Sequence, residues 1–267
     1  MDRYLLTTKF KNKFLFIIFF GFINLSHANP LRPEQQVKDK KNDPKNIQEL
    51  VKWPRTNLYH LGLQFSNSRI DGFQIANNTK GTLVSEMNMA VSLQYFNWRK
   101  PDYDISLGLK LESIKMLSEF NLIPIDNSQV MAIGLNMTGR YLIDENLYLN
   151  LRMGLQDKLF YAPNAGLTGY EISKPMIPYL GGGFSALFAE FKKIKIGFEA
   201  IVYLYQSSSA SNYQIDSGQG YEIALISIWP RGSNQIITEF FYAGGTQNTS
   251  LIRTEEQKIG FGVKYLF

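Results

Sequence analysis

The sequence contains no cysteine and only two histidines in 267 residues. Without thiols there is no disulfide and no thiolate metal site, so some other device must close the fold. His27 lies in an N-terminal targeting segment, which leaves His60 as the single imidazole beyond it. Past residue 28, no apolar run reaches the roughly 20 residues that a membrane-crossing helix needs. A strong charge of one sign is also missing. Setting aside residues 1–28 removes four basic residues and one acidic residue from totals of 28 and 23. The remaining 24 and 22 give a net of +2, so the overall +5 is largely a property of that segment. The balance gives no reason to expect a nucleic-acid partner.

What the N-terminus does have is an export pattern. Arg3, Lys9, Lys11 and Lys13 precede the apolar run FLFIIFFGFINL at residues 14–25, and Ser26-His27-Ala28 supplies small residues at a cleavage site. This reads as a signal peptide over residues 1–28, cleaved after Ala28; an uncleaved anchor is the alternative. Residues 29–55 are polar, contain four of the chain's ten prolines and read as a leader. Within it, DPKNIQELVKW offers Asp43 as a cap, Pro44 at a first helical position, and Ile47, Leu50 and Val51 on one face. A short helix over 44–52 is therefore expected, either as a plug or as part of a linker.

From residue 56 to 267 the hydrophobic period is two. Tyr59, Leu61, Leu63 and Phe65 alternate with His60, Gly62 and Gln64. Leu147, Leu149, Leu151, Met153 and Leu155 alternate with Tyr148, Asn150, Arg152, Gly154 and Gln156. The last segment alternates Phe261, Val263, Tyr265 and Phe267 with Gly262 and Lys264. Ten such segments can be counted, although residues 221–229 are apolar on both faces and their phase is ambiguous. Short turns near 96–102, 144–146, 192–193 and 230–234 alternate with longer connections near 66–82, 115–128, 158–175, 207–219 and 245–256. That rhythm predicts an all-β, antiparallel up-and-down barrel of about ten strands, with eight or twelve as alternatives. The polar stretch SSSASNYQIDSGQG at 207–220 reads as a soluble loop.

Three features turn the apolar face outward, toward lipid. The segments run about 10–12 residues, near the 9–11 of a tilted membrane strand. The other face is rich in glycine: Gly62, Gly108, Gly134, Gly154, Gly181, Gly183, Gly197, Gly260 and Gly262 suit a crowded interior. Aromatic residues gather near the short turns: Trp53, Tyr95, Phe96, Trp98, Tyr103, Tyr141, Phe188, Phe191, Trp229 and Tyr265. On these residues, and on the terminal pattern of Phe261, Val263, Tyr265 and Phe267, the chain resembles a bacterial outer-membrane β-barrel protein. The resemblance implies that this last strand is the signal read by the barrel-assembly machinery. It implies Gram-negative outer-membrane lipid and lipopolysaccharide as surroundings, and both chain ends in the periplasm.

The charges expected to face the lumen are mixed: Glu86, Glu112, Glu199, Glu222 and Glu239 against Lys110, Arg140, Arg152, Lys195, Lys258 and Lys264. They lead to two readings. One is a narrow passive channel for ions or small polar solutes, its selectivity set by these groups. The other is a non-conducting structural or surface-binding barrel with a salt-bridged core. A remote third is an outer-membrane hydrolase. The omptin proteases resemble this chain in strand count, but their chemistry needs acids and a histidine at the outer rim. His60 begins the first strand at the opposite end, and no serine follows it at a useful spacing. No catalytic residue, cofactor or metal is expected. Deleting Phe267 should impair assembly, read as loss of the heat-modifiable folded band; normal insertion of the truncated chain would remove the role assigned to that residue.

Overall fold

Alternating segments in a medium without water must pair every backbone amide, and a sheet does so without loose edges only by closing on itself. The computed structural model describes residues 59–75, 80–99, 102–118, 128–144, 146–163, 170–191, 193–210, 213–231 and 234–267. The expected signal peptide, the leader with its short helix, and Trp53 lie outside the described residues.

The strands are β1 (Tyr59–Gln74), β2 (Lys80–Ser85), β3 (Asn88–Arg99), β4 (Tyr103–Ser118), β5 (Ser128–Asp144), β6 (Leu147–Asp157), β7 (Phe160–Pro163) and β8 (Tyr170–Ser173). They continue as β9 (Met176–Phe191), β10 (Ile194–Tyr205), β11 (Ser208–Ala210), β12 (Tyr213–Ile215), β13 (Gly218–Arg231), β14 (Asn234–Asn248) and β15 (Ile252–Leu266). Ten of them form a ring in the order β1, β3, β4, β5, β6, β9, β10, β13, β14, β15 and back to β1, every pairing antiparallel. The expected ten-stranded up-and-down barrel is therefore the observed one, and eight and twelve strands are excluded. β2 extends the wall above β3, paired to β1 and β4.

The seam is closed by the two ends of the described chain. Tyr59 N donates to Phe267 O and Phe267 N donates to Tyr59 O, both at 3.1 Å. From there β1 and β15 pair residue by residue, from His60 against Leu266 to Gln74 against Ile252. The rings of Tyr59, Tyr95, Tyr265 and Phe267 stack along the outside of this seam, with centroids 5.2–5.8 Å apart.

Outside the wall runs an apolar belt. Leu61, Leu107, Leu135, Leu151, Leu225 and Phe240 are all exposed. Its upper edge lies at the same level on neighbouring strands. On β1 the outward residues change from Phe65 to Asn67 and Arg69, and on β15 from Ile259 to Gln257 and Glu255; Asn67 pairs with Ile259 and Arg69 with Gln257. From Phe267 to Ile259 the belt covers roughly 27 Å of strand at about 3.4 Å per residue. Tilted by about 35–45° as barrel strands are, that projects to roughly 19–22 Å, on the scale of a hydrocarbon band of about 25 Å. Exposed apolar surface on this scale needs a covering, and the pattern is that of a transmembrane barrel.

Several connections differ from their sequence reading. The segments expected as loops from 66, 115 and 245 are largely strand: β1 runs to Gln74, β4 to Ser118, β14 to Asn248, and β15 starts at Ile252. Above the belt the outer face turns polar while the inner face buries Ile70, Ile114 and Ile252, so the apolar-out alternation is lost while the hydrogen bonds continue. The polar stretch 207–220 contains the hairpin β11–β12, in which Ile215 is fully buried. Phe96 is not in the aromatic girdle. It keeps the inward phase of β3 and is 2% exposed. Tyr95, Tyr103, Tyr141, Phe188, Phe191, Trp229 and Tyr265 are exposed on the outside. In the tight turn between β9 and β10, Lys193 adopts a left-handed φ of 72°, as short hairpins require.

A charge placed on the belt tests its depth. Leu151→Arg, at the middle of β6, should cost about 2–4 kcal/mol of stability in lipid, and Leu251→Arg, beyond the belt, close to nothing. Urea unfolding of the refolded proteins in vesicles measures both; equal costs would contradict a membrane-embedded belt.

Candidate functional site

Inward positions are even-numbered on β1, β3, β4, β5, β6, β13 and β15 and odd-numbered on β9, β10 and β14, because the turns fix the phase. This parity brings residues far apart in sequence into one interior. They form three layers.

Near the short turns the layer is half polar and half apolar. Arg140 and Asp104 face each other across β4 and β5, joined by Nε to Oδ1 at 2.9 Å and an Nη to Oδ2 at 3.0 Å. Both are almost wholly buried, at 8% and 4% exposure. The guanidinium also lies 5.4 Å from the Phe96 ring centroid. His60 packs edge-on against Phe96 at 4.8 Å, and its Nδ1 lies 3.1 Å from Gln94 Oε1. Opposite, Tyr148, Leu187, Ala224, Ile226, Ile228, Ile237, Phe241 and Leu266 make an apolar cluster inside the wall. This explains the two apolar faces of residues 221–229: the inner face of β13 belongs to that cluster.

The middle layer is charged. Glu112 takes salt bridges from two lysines, Lys110 at 3.2 Å on its own strand and Lys258 from β15. Arg152 on β6 reaches two glutamates, Glu199 on β10 and Glu222 on β13, the latter at 3.2 Å. Lys264 binds Glu239 at 2.5 Å, and Gln64 Nε2 donates to the same carboxylate at 2.5 Å. Gly262 makes room there, since a Cβ would stand 2.6 Å from Glu239 Oε1. Tyr203 Oη accepts a hydrogen bond from Arg152 at 2.9 Å, and its ring meets Tyr179 at 5.7 Å and Tyr205 at 6.3 Å. Gly181 lets that ring lie against β9, where a Cβ would come within 2.7 Å of it. Buried charges are tolerated only when paired, and each of these is paired.

At the long-loop end the interior is roofed. Ile70, Leu83, Ile114, Met116, Ala132, Leu159 and Ile252 form one apolar cluster; Phe160, Ile177, Tyr213 and Ile215 form another. Lys158 is buried beneath them, its ammonium 3.7 Å from the Tyr205 ring centroid and 3.9 Å from Glu256. Both contacts are made by strands other than β6, which Lys158 directly follows.

Between the layers lies a cavity of about 310 Å³, lined by His60 and Lys264 low on the wall and by Ser68, Glu256, Lys158 and Leu159 high on it. Of the residues expected in the lumen, Lys110, Glu112, Arg140, Arg152, Glu199, Glu222, Glu239, Lys258 and Lys264 line this cavity. Lys195 has the inward parity on β10 but lies at the turn end, outside the lining. Glu86 is half exposed and pairs with Lys115 at 2.8 Å. It sits in a two-residue bend that shifts the inward phase from Ser85 to Asn88, so the alternation that pointed it inward is broken there. Asp104, Tyr203 and Tyr205 share the polar phase of their strands in the sequence without counting among the expected lumen charges, and Lys158, Tyr179 and Glu256 carry no inward signal at all. Asp104 could have been found as the register partner of Arg140; the others depend on contacts across the barrel.

No protein-family model and no curated protein matches the chain. Among solved structures, the chain is similar to an outer-membrane channel from Pseudomonas putida F1, at 10% identity and a TM-score of 0.47, over 85% of this chain and 100% of that one. It is also similar to the outer-membrane protease OmpT from Escherichia coli, at 12% identity and a TM-score of 0.39, over 82% and 99% of the two chains. A third likeness, to a KdgM porin in complex with oligogalacturonate, has 15% identity and a TM-score of 0.34, over 78% and 99%.

Proposed function

We propose that the protein is a bacterial outer-membrane barrel that acts as a narrow passive channel for ions or small polar solutes. One observation carries this reading: a polar, charge-lined cavity extends along the wall from His60 and Lys264 to Ser68 and Glu256. That is eight residue steps on β1 and on β15, roughly 27 Å of strand. A filled eight-stranded barrel has no such space, and a 16-stranded porin has far more. Conduction through it is limited by the cross-lumen ion pairs and by the roof at residues 158–160. In the same proposal the short turns face the periplasm and residues 1–28 are removed on export. Residues 29–55 then stay in the periplasm as a leader. The outer leaflet's lipopolysaccharide surrounds the upper belt, and the barrel-assembly machinery reads the last strand.

The second reading, a non-conducting structural or surface-binding barrel, is favoured by the apolar clusters that occupy the interior at both ends. The position of His60, beside Gln94 and Phe96 at the short-turn end, offers nothing to a hydrolase.

Planar-bilayer recording of the refolded mature chain separates the first two. Discrete steps, much smaller than those of wide porins, are expected, and Leu159→Gly should enlarge them by thinning the roof. No steps above background in either protein would reject the channel. Deleting residues 29–52 should raise the current if the leader enters the lumen; an unchanged current rejects a plugging role.

A further inference from the structure

The charges of the middle layer are not paired one to one. Two lysines, Lys110 and Lys258, share the single carboxylate of Glu112, which leaves that corner with one excess positive charge. Two glutamates, Glu199 and Glu222, share the single guanidinium of Arg152, which leaves the other corner with one excess negative charge. The first corner is built on β4 and β15 and the second on β6, β10 and β13. Both line the same cavity. The remaining middle pair, Lys264 with Glu239, is neutral in sum.

The excess charges are also the accessible ones. Lys110 and Glu222 have side chains 32% and 30% exposed to the cavity, against 10–15% for Glu112, Lys258 and Glu199. Lys110 on β4 and Glu222 on β13 stand five strands apart in the ring of ten, on opposite sides of it, and among the described residues no ion pair joins them. A gap with a positive and a negative end therefore lies open between them. A simple anion entering it meets an attracting lysine and a repelling glutamate, and a simple cation meets the reverse. A small molecule with both charges satisfies both ends. The rings of Tyr179 and Tyr203 stand beside the negative end, where they add a cation–π face for an ammonium group. The size limit is equally clear. At about 310 Å³, the cavity lies at the bottom of the range of about 300–1,000 Å³ for small-molecule sites.

We infer that the lumen holds a binding site for a small zwitterion of the amino-acid type, with its carboxylate at Lys110 and its ammonium at Glu222. The inference deepens the channel reading by naming the solute class. It also stands as a binding claim that can be measured without current. Isothermal titration of β-alanine and γ-aminobutyrate into the refolded protein in detergent tests it, with acetate and ethylammonium as separate halves of the same chemistry. Saturable binding of at least one zwitterion is expected, with each half at least tenfold weaker. Lys110→Met and Glu222→Gln should each weaken the zwitterion at least tenfold. Each variant leaves a complete pair behind, Glu112 with Lys258 or Arg152 with Glu199, and folded gel mobility checks that both barrels form.

Binding by the halves as tight as by the zwitterions, or no saturable binding by the wild-type protein, overturns the inference. So do folded variants that bind as wild type does. A barrel that conducts but binds no zwitterion refutes this inference alone. One that binds but shows no conductance steps refutes the channel alone.

Discussion

Closure of β1 on β15 is the constraint from which the rest of the structure follows. The chain has no cysteine to hold the fold closed, and a greasy belt runs around its outer face. In hydrocarbon an unpaired strand edge would leave a row of amides with no partner, at several kcal/mol each. The seam removes both edges at once. Its last link is the reciprocal pair of hydrogen bonds between Tyr59 and Phe267. Phe267 is therefore a member of the ladder.

A ring of ten also fixes what the inside can be. With leucines, methionines and aromatics committed to the outer face, inward positions must fill a narrow space, and they fill it unevenly. Apolar clusters occupy parts of both ends, so the inward charges gather in the middle, apart from the Arg140–Asp104 corner at one end and Lys158 with Glu256 at the other. Low local dielectric strengthens each pairing there and makes each unpaired charge costly. The two-to-one groupings around Glu112 and Arg152 are the exception: they leave opposite excess charges on opposite sides of one cavity. That asymmetry, rather than the number of charges, is what gives the interior a chemistry of its own.

The outer face was legible in the sequence because it reports one solvent. Leu61, Leu107, Leu151 and Phe261 are apolar for the same reason at every second position, and period two survives averaging along a strand. The inner face reports many neighbours at once and is harder to read. Ile226 and Ile228 blur the phase of β13 because they belong to one inner apolar cluster with Tyr148 of β6 and Leu266 of β15. Glu86 was misplaced because a bend of two residues shifts the phase locally, which no composition signal marks. Lys158 looked like the start of a loop because its partners, Tyr205 and Glu256, come from strands about 50 and 100 positions away in sequence. Ladder above the belt was read as loop because Asn67, Arg69 and Asp71 carry no hydrophobic contrast although their backbones remain paired.

The absence of native cysteine makes the seam directly measurable. Leu63 on β1 and Val263 on β15 are register partners across it. Leu63→Cys with Val263→Cys, refolded in lipid and mildly oxidised, should form an intramolecular disulfide visible as a shift in gel mobility. Leu63→Cys with Leu107→Cys, on strands that do not neighbour each other in the ring, should not. Failure of the first pair to cross-link in folded protein, or equal cross-linking by both, would contradict a barrel closed between its first and last strands.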